Sequence, residues 1–433
     1  MSIYKYEEAF GTWDKTGKAM RTAIEDWFSL YYRSDVTEQS DPCQRIAYTV
    51  VNKIVKTVFG EYKASGRDPA VLAVLQKLDQ KRKEALQLAL IGGECYIKPC
   101  PGAEGFTFTL IPRNNVLIFG RDASGDLTDV GMVEKSTAGK YYYTLLERRT
   151  VDEQGFLTIE NQLFRSLNNQ SLGTRISLRS HPAYARLAEK HRYPVPFHSV
   201  GLVRLKTPMV NCVDGTCEGV AVYAAASGLI RNIDRNEAQL SGEFSRGESR
   251  VIVSADMLGK DGLQDHLFVG LDEDPERVGM TVYSPLLREQ SFLARKQEYL
   301  RNVESIVGLK RGMLSDANVE ERTATEITSS AGDFNLTVID FQNMWEEAVY
   351  QTVELCSKLS ALYRLPRMEN TDISIDWGNG VLYDEDKTWE DYKTMVAAGL
   401  LKPEIALAWR FGMAADTEEE LAAVRKKYMP EGR

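Results

Sequence analysis

No uninterrupted run of eighteen apolar residues occurs anywhere in the 433-residue chain, so no segment reads as a membrane-spanning helix. The first residues, Met1-Ser2-Ile3-Tyr4-Lys5-Tyr6-Glu7-Glu8, carry no basic stretch followed by an apolar core. The expectation is a soluble protein, made and kept in a cytoplasm, with no membrane partner. Only four histidines are present, at 181, 191, 198 and 266, without the i, i+4 spacing that sets two metal ligands on one helix face. Six cysteines, at 43, 95, 100, 212, 217 and 356, form no repeated framework of the secreted type, and reduced thiols are expected. Cys95/Cys100 and Cys212/Cys217 are spaced more widely than a zinc knuckle and read as packed or incidental thiols. The P-loop, Gly-x-Gly-x-x-Gly and Gly-x-Ser-x-Gly are all missing, which removes the common nucleotide cradles and nucleophile turns. Neither enzymatic activity nor a cofactor or metal is expected. Asp122-Ala123-Ser124-Gly125-Asp126 lacks the later glutamate of a calcium loop and reads as a hairpin turn.

Basic excess is missing too. Sixty-two acids against 53 bases leave −9, which argues against a general nucleic-acid binder. The charge is uneven. Residues 366–433 hold 14 acids and 9 bases, whereas residues 286–311 hold six bases and three acids, so any contact with an anionic polymer is local.

The periodicities that are present predict an α+β chain. An amphipathic helix is expected over 16–33. Asp41-Pro42 and Asp68-Pro69 each place an N-cap before a first-turn proline. Ile46, Val50, Ile54 and Val58 line one helix, and Leu72, Leu75, Leu78, Ala85 and Leu88 line the next, with stops at Gly60 and Gly92. From Glu94 to Arg165 the period changes to strands around residues 95–97, 106–111, 116–119, 141–146 and 156–159, separated by turns at Gly125, Gly139 and Gly155. Residues 166–217 read as irregular. A helix of about 28 residues is expected from Glu218 through Val220, Tyr223, Ile230, Ile233, Leu240 and Phe244. Strand-like Arg250–Ser254 and Met280–Tyr283 follow, then a helix from Leu286 to Val307. After Pro366 come a strand at 373–377 and short helices divided at Gly399, Pro403 and Gly412, one opened by a Thr417/Glu420 capping box.

Val307-Gly308-Leu309-Lys310-Arg311-Gly312-Met313 is a basic loop between glycines. Behind it Thr323 and Glu326 form a capping box, and Ile327, Ala331, Phe334, Val338, Phe341, Trp345, Val349, Thr352, Leu355, Leu359 and Leu362 make one apolar stripe. At 1.5 Å per residue this helix spans roughly 60 Å, more than an isolated monomer is expected to cover. Alone, the stripe reads as core packing, and Lys310 with Arg311 as a solvated basic turn.

The box Arg322-Thr323-Ala324-Thr325-Glu326-Ile327 is one of several stretches that occur in a telling order. The others are the run from Glu218 through Tyr223 and Ile230 to Asp234, that from Phe244 to Ser254, and that from Val396 through Pro403 to Ala406, followed by Phe411-Gly412. Together they resemble the portal proteins of tailed double-stranded DNA bacteriophages, most closely those of long-tailed phages and prophages, over nearly the whole chain. That resemblance implies a portal fold with a helical and β wing (1–217), stem helices (218–247 and 286–306), a small α/β clip (248–285), a tunnel loop (307–321), a long wing helix (322–365) and a helical crown (366–433), with clip and crown both short. It implies a ring, usually of twelve subunits, at one capsid vertex of the virion, assembled in the host cytoplasm, through which double-stranded DNA is packaged and ejected. The implied partners are the terminase large subunit, major capsid and scaffold proteins, and a head–tail adaptor. Lys310 and Arg311 are the candidate DNA-channel residues, with Arg295, Lys296 and Arg301 behind them; Thr323, Glu326 and Trp345 are the candidate cap and packing residues. Two other readings are a cytoplasmic helical scaffold without DNA passage and a metal-dependent enzyme using the cysteine pairs and acidic turns.

Overall fold

Seventeen residues after the start of the chain, helix-forming and apolar spacing combine to bury one face and define the first long element of a mixed α+β structure. The computed structural model describes residues 3–32, 42–103, 105–247, 250–254, 268–271, 281–283, 287–316, 324–378, 385–411, 415 and 418–429. A short α1 (Glu7–Phe10) precedes α2 (Lys18–Tyr32), which buries Met20, Ile24, Trp27, Phe28 and Tyr31. The next helix, α3 (Ile46–Val58), starts later than Pro42 predicts. Gln44 donates its amide to Asp234 Oδ1 at 2.8 Å and Arg45 takes a left-handed φ of 54°, so the chain cannot turn helical until Ile46; Asp41 lies outside the described residues. Strand β1 (Lys63–Gly66) follows.

At α4 (Pro69–Asp79) the predicted cap is present, Asp68 Oδ1 accepting the Ala70 amide at 2.8 Å with Pro69 in the first turn. The single helix expected to run on through Leu88 is broken at residues 80–81, where Lys81 N donates to Leu78 O. The break shifts the buried face of α4 and α5 (Arg82–Gly92) to Val71, Val74, Leu75, Leu78, Ala85, Leu86, Ala89 and Leu90, leaving Leu72 exposed. The stop is Gly93, at φ 81°, rather than Gly92. A Cβ on Gly93 would stand 2.3 Å from the Gly219 carbonyl, so two chain segments pass here at a distance only glycine permits.

Strands β2 (Glu94–Gly102) and β3 (Gly105–Pro112) form a hairpin. A larger antiparallel sheet follows: β4 (Val116–Arg121), β5 (Leu127–Ala138), β6 (Tyr141–Val151), β7 (Phe156–Ser166) and β8 (Thr174–Ile176), with β9 (Lys190–Pro196) also on β7. Strand β10 (Val203–Lys206) returns to β2. Alternation places Val116 and Ile118 with Tyr96, Ile111, Val130 and Met132 on one face of β4, and Leu117 and Phe119 with Tyr6, Phe10, Val133 and Leu146 on the other, as a period of two requires. Strands β5, β8, β9 and β10 are absent from the sequence expectation. Asp129, Lys135 and Ser136 dilute the apolar pattern of β5, and its place is set by register with β6. The Asp122 turn is the predicted hairpin turn: Oδ1 accepts the amides of Ser124 and Asp126, each at 2.9 Å.

Helix α6 (Ser227–Arg246) begins nine residues beyond Glu218, and Phe244, expected on its apolar stripe, is exposed. It leads to a small sheet in which β11 (Arg250–Ser254) runs parallel to β12 (Phe268–Leu271) and antiparallel to β13 (Thr281–Tyr283). Helix α7 (Glu289–Val307) then returns antiparallel along α6: Glu243 pairs with Arg288, Glu237 with Lys296, and Asn236 Nδ2 donates to Phe292 O at 3.0 Å. The 40-residue α8 (Ala324–Tyr363) follows. Its predicted stripe is buried from Phe334 to Leu359, with Phe341, Trp345, Val349 and Thr352 fully inaccessible. The chain itself covers that stripe, since α8 packs against β2, β10 and α4; the expectation that a monomer leaves it bare is corrected. Sheet and helix supply the cover that sequence spacing cannot locate. Thr323 and the Glu326 side chain lie outside the described residues.

Residues 57–65 and 374–433 make a second compact unit. Here β1 pairs with β14 (Ile373–Asp376), and Trp377 meets the rings of Phe59 and Tyr62 at 6.2 and 4.9 Å. Helices α9 (Glu385–Ala397), α10 (Pro403–Arg410) and α11 (Glu418–Tyr428) complete it. Phe411 stacks on Tyr428 at 4.2 Å. Thr417 lies outside the described residues.

Trp345 lies fully buried at the middle of α8. Trp345→Ala is expected to lower unfolding stability by about 3–5 kcal/mol through lost burial and a residual cavity, a change that denaturant titration measures directly; wild-type stability would contradict this packing.

Candidate functional site

The basic loop predicted between glycines is folded back on the helix it follows. At the end of α7, Gly308 adopts φ 70° and its amide reaches Glu304 O, as does that of Leu309 at 2.9 Å. The chain then turns at Lys310, whose carbonyl accepts the Met313 amide at 3.1 Å. Glu304, only 1% exposed, receives the returning leg. Its Oε1 accepts the amides of Gly312 at 3.1 Å, of Leu314 and of Ser315 at 2.9 Å, while Oε2 accepts the Ser315 hydroxyl at 2.8 Å. Further along, the Asp316 amide donates to Gln297 Oε1 at 2.8 Å. On the other side a Cβ at Gly308 would lie 2.4 Å from Thr337 Oγ1 of α8, so the loop base abuts the long helix as closely as glycine allows.

Lys310 and Arg311 therefore occupy one ordered turn, Lys310 half-buried and Arg311 exposed. The other three predicted bases lie on α7, and Arg295 and Lys296 stand roughly 18 Å along its axis from Val307 at 1.5 Å per residue. Arg295 is exposed, stacks over Tyr299 at 5.3 Å and donates to its hydroxyl at 2.8 Å. Lys296 bridges Glu237 of α6 at 3.0 Å and Gln44 Oε1 at 2.8 Å. Arg301 faces Glu298 at 3.8 Å. The loop pair is thus brought together, whereas Lys296 joins chain segments. Sequence reasoning missed Glu304 and Gln297. The available signal was an acid in the last helical turn, where it opposes the helix dipole unless something local compensates it.

A second group of charges holds the segment leading into α6. Arg113, 1% exposed, donates to Val116 O at 2.8 Å, Thr16 Oγ1 at 2.8 Å and Glu218 Oε2 at 3.0 Å, and lies 3.8 Å from Glu94. Glu94 also binds Arg204 and Tyr96 and accepts the Gly219 amide at 2.8 Å. Around it the Thr207 hydroxyl donates to Val220 O at 2.8 Å and the Val222 amide to Leu90 O at 2.9 Å. These bonds hold 218–222 in a non-helical path, which is why α6 starts late. Burial opposes charge on Glu94, but Arg204 and then Arg113 outweigh it and hold the carboxyl at about 2.

Among the described residues no three of His, Cys, Asp and Glu gather as a metal site. Burial pushes the Cys95 and Cys356 thiols well up, away from nucleophilic use. A cavity of about 140 Å³ bordered by Lys98, Met132, Leu145 and Glu147 is smaller than the several hundred Å³ typical of a cofactor site.

No protein-family model matches the sequence, and no curated protein matches it. Solved structures do. One chain, from a structure described as the neck of a native GTA particle computed with C12 symmetry, aligns with a TM-score of 0.51 over 94% of this chain and 97% of that one, at 12% identity. The two chains share a fold.

The depressed Glu94 carboxyl contributes stability above its unfolded value near 4.5, and that contribution is lost as pH falls toward about 2. Glu94→Gln is expected to cost about 3–5 kcal/mol at neutral pH by stranding buried cations, and to flatten the loss of stability between those pH values. Urea titrations across the acid range measure both effects; an acid slope equal to wild type would contradict the ion pairing.

Proposed function

We propose that the chain is a portal-type subunit of a phage-like particle: a non-enzymatic ring member at one capsid vertex, through which double-stranded DNA passes without sequence recognition. The supporting observation is a fold shared end to end with a chain of a particle neck whose structure has C12 symmetry. In this reading the two sheets and α8 are the wing, α6 and α7 the stem, the β11–β13 sheet the clip, and α9–α11 the crown. The clip docks the terminase large subunit during packaging and a head–tail adaptor afterwards, while capsid and scaffold proteins meet the wing.

The charge pattern fits a sliding polymer. Each phosphate neutralised adds salt-dependent affinity and would brake movement, so an acidic chain with a few bases on one turn suits a conduit better than a basic surface. Lys310 and Arg311 are the assigned lumen contacts, with exposed Arg295 behind them. Contacts between unlike faces that close on themselves give a ring. The scaffold reading keeps the amphipathic helices but leaves the ordered basic turn without a task.

Twelve 48.8 kDa chains total about 590 kDa, the mass that light scattering should return. A monomer that persists with capsid and scaffold proteins present would contradict the proposal, and small open assemblies would favour the scaffold. Lys310→Ala with Arg311→Ala is expected to leave this mass unchanged while lowering DNA packaging or retention severalfold; unaltered packaging and retention would remove the lumen assignment.

A further inference from the structure

We propose that Glu304 is a positioning residue that sets the presentation of Lys310 and Arg311 by closing both legs of their loop on a single stem side chain. On the outgoing leg the Glu304 carbonyl holds the amides of Gly308 and Leu309. On the returning leg its carboxylate holds the amides of Gly312, Leu314 and Ser315 and the Ser315 hydroxyl. Lys310 and Arg311 are the two residues left between these attachments, at the apex of a loop that begins and ends on one residue.

The chemistry suits a carboxylate at this position. Ionised, it only accepts, and here three amides converge on Oε1 while a hydroxyl takes Oε2. Converging amides neutralise a buried anion as a backbone nest does, so the charge near the C-terminal end of α7 is met by the loop it orders. An alanine would leave three amides without partners, and an aspartate, one methylene shorter, would not span the gap. A glutamine keeps the Oε1 acceptor but turns the second acceptor into a donor. The Asp316 amide on Gln297 continues the same attachment down α7, so the returning leg is tied by its side-chain hydrogen bonds to that helix. The loop is therefore carried by α7, and a shift of α7 carries the two bases with it.

The functional consequence rests on the reading of the loop as a lumen contact, and the test separates the two. In the assembled full-length protein, hydrogen exchange at Gly312, Leu314 and Ser315 is expected to accelerate by about tenfold or more in Glu304→Ala, with the β5–β7 amides unchanged. DNA retention in particles should then fall to the level of the Lys310→Ala/Arg311→Ala variant, and Glu304→Gln should restore part of both. Unchanged exchange in Glu304→Ala would overturn the positioning role. Accelerated exchange with normal retention, where the double variant loses retention, would overturn it also. Accelerated exchange with normal retention in both variants would uphold the latch and remove the lumen reading instead. Should Glu304→Ala fail to assemble, Glu304→Met carries the same comparison, since it keeps the buried site filled but offers the three amides no carboxylate oxygen; exchange at wild-type rates in it would overturn the role.

Discussion

Arg113 is the constraint on which the arrangement rests. A guanidinium buried to this degree needs local partners, and they come from four stretches of chain: its terminal nitrogens bond Thr16 near the N-terminus, Val116 at the start of β4 and Glu218 on the path into α6, while Nε has only the Glu94 carboxylate at the head of β2, 3.8 Å away. Glu94 extends the reach to Arg204 and Gly219. The gap between Gly93 and Gly219, too narrow for a Cβ, lets the two backbones close around these charges. Such a group gains little net stability over an apolar core. What it fixes is direction, because α6 can leave the sheets by only one route.

From that fixed exit the chain runs out along α6, turns through a small sheet and returns along α7. Exposed ion pairs such as Glu243 with Arg288 are worth little as stability, but they repeat the antiparallel register at several levels. The returning helix then ends in an acid that draws the next loop back on itself. Rigidity is passed along by hydrogen bonds with few alternatives: Arg113 orients the departing segment, the helix pair preserves the direction, and Glu304 sets the turn. A chain built this way holds a basic turn at a defined place beside the helix pair although its net charge is −9.

The sequence made some of this legible and hid the rest for physical reasons. Local signals survived: the Asp68 cap, the Asp122 hairpin turn, the glycines of the basic loop and the apolar period of α8 all depend on residues a few positions apart. Lys310 and Arg311 were legible as neighbours because the loop is short. Long-range pairings were not legible. Strand β5 owes its place to register with β6, residues 218–222 are kept out of the helix because Arg113 and Leu90 hold them, and residues 57–65 join a unit whose other part begins more than three hundred positions later. Glu304 could be read only as an acid in an unfavourable helix turn, since the amides that justify it become visible when the loop has folded. The stripe on α8 announced burial without saying what buries it.

A density map of the purified assembly viewed down its symmetry axis bears most directly on the central claim. The account predicts a closed ring with α6 and α7 facing an axial channel, the loop at Lys310 and Arg311 reaching into it, and an aperture wide enough for a B-form duplex. An assembly without an axial opening, or a ring that carries those loops on its outer rim, would contradict it.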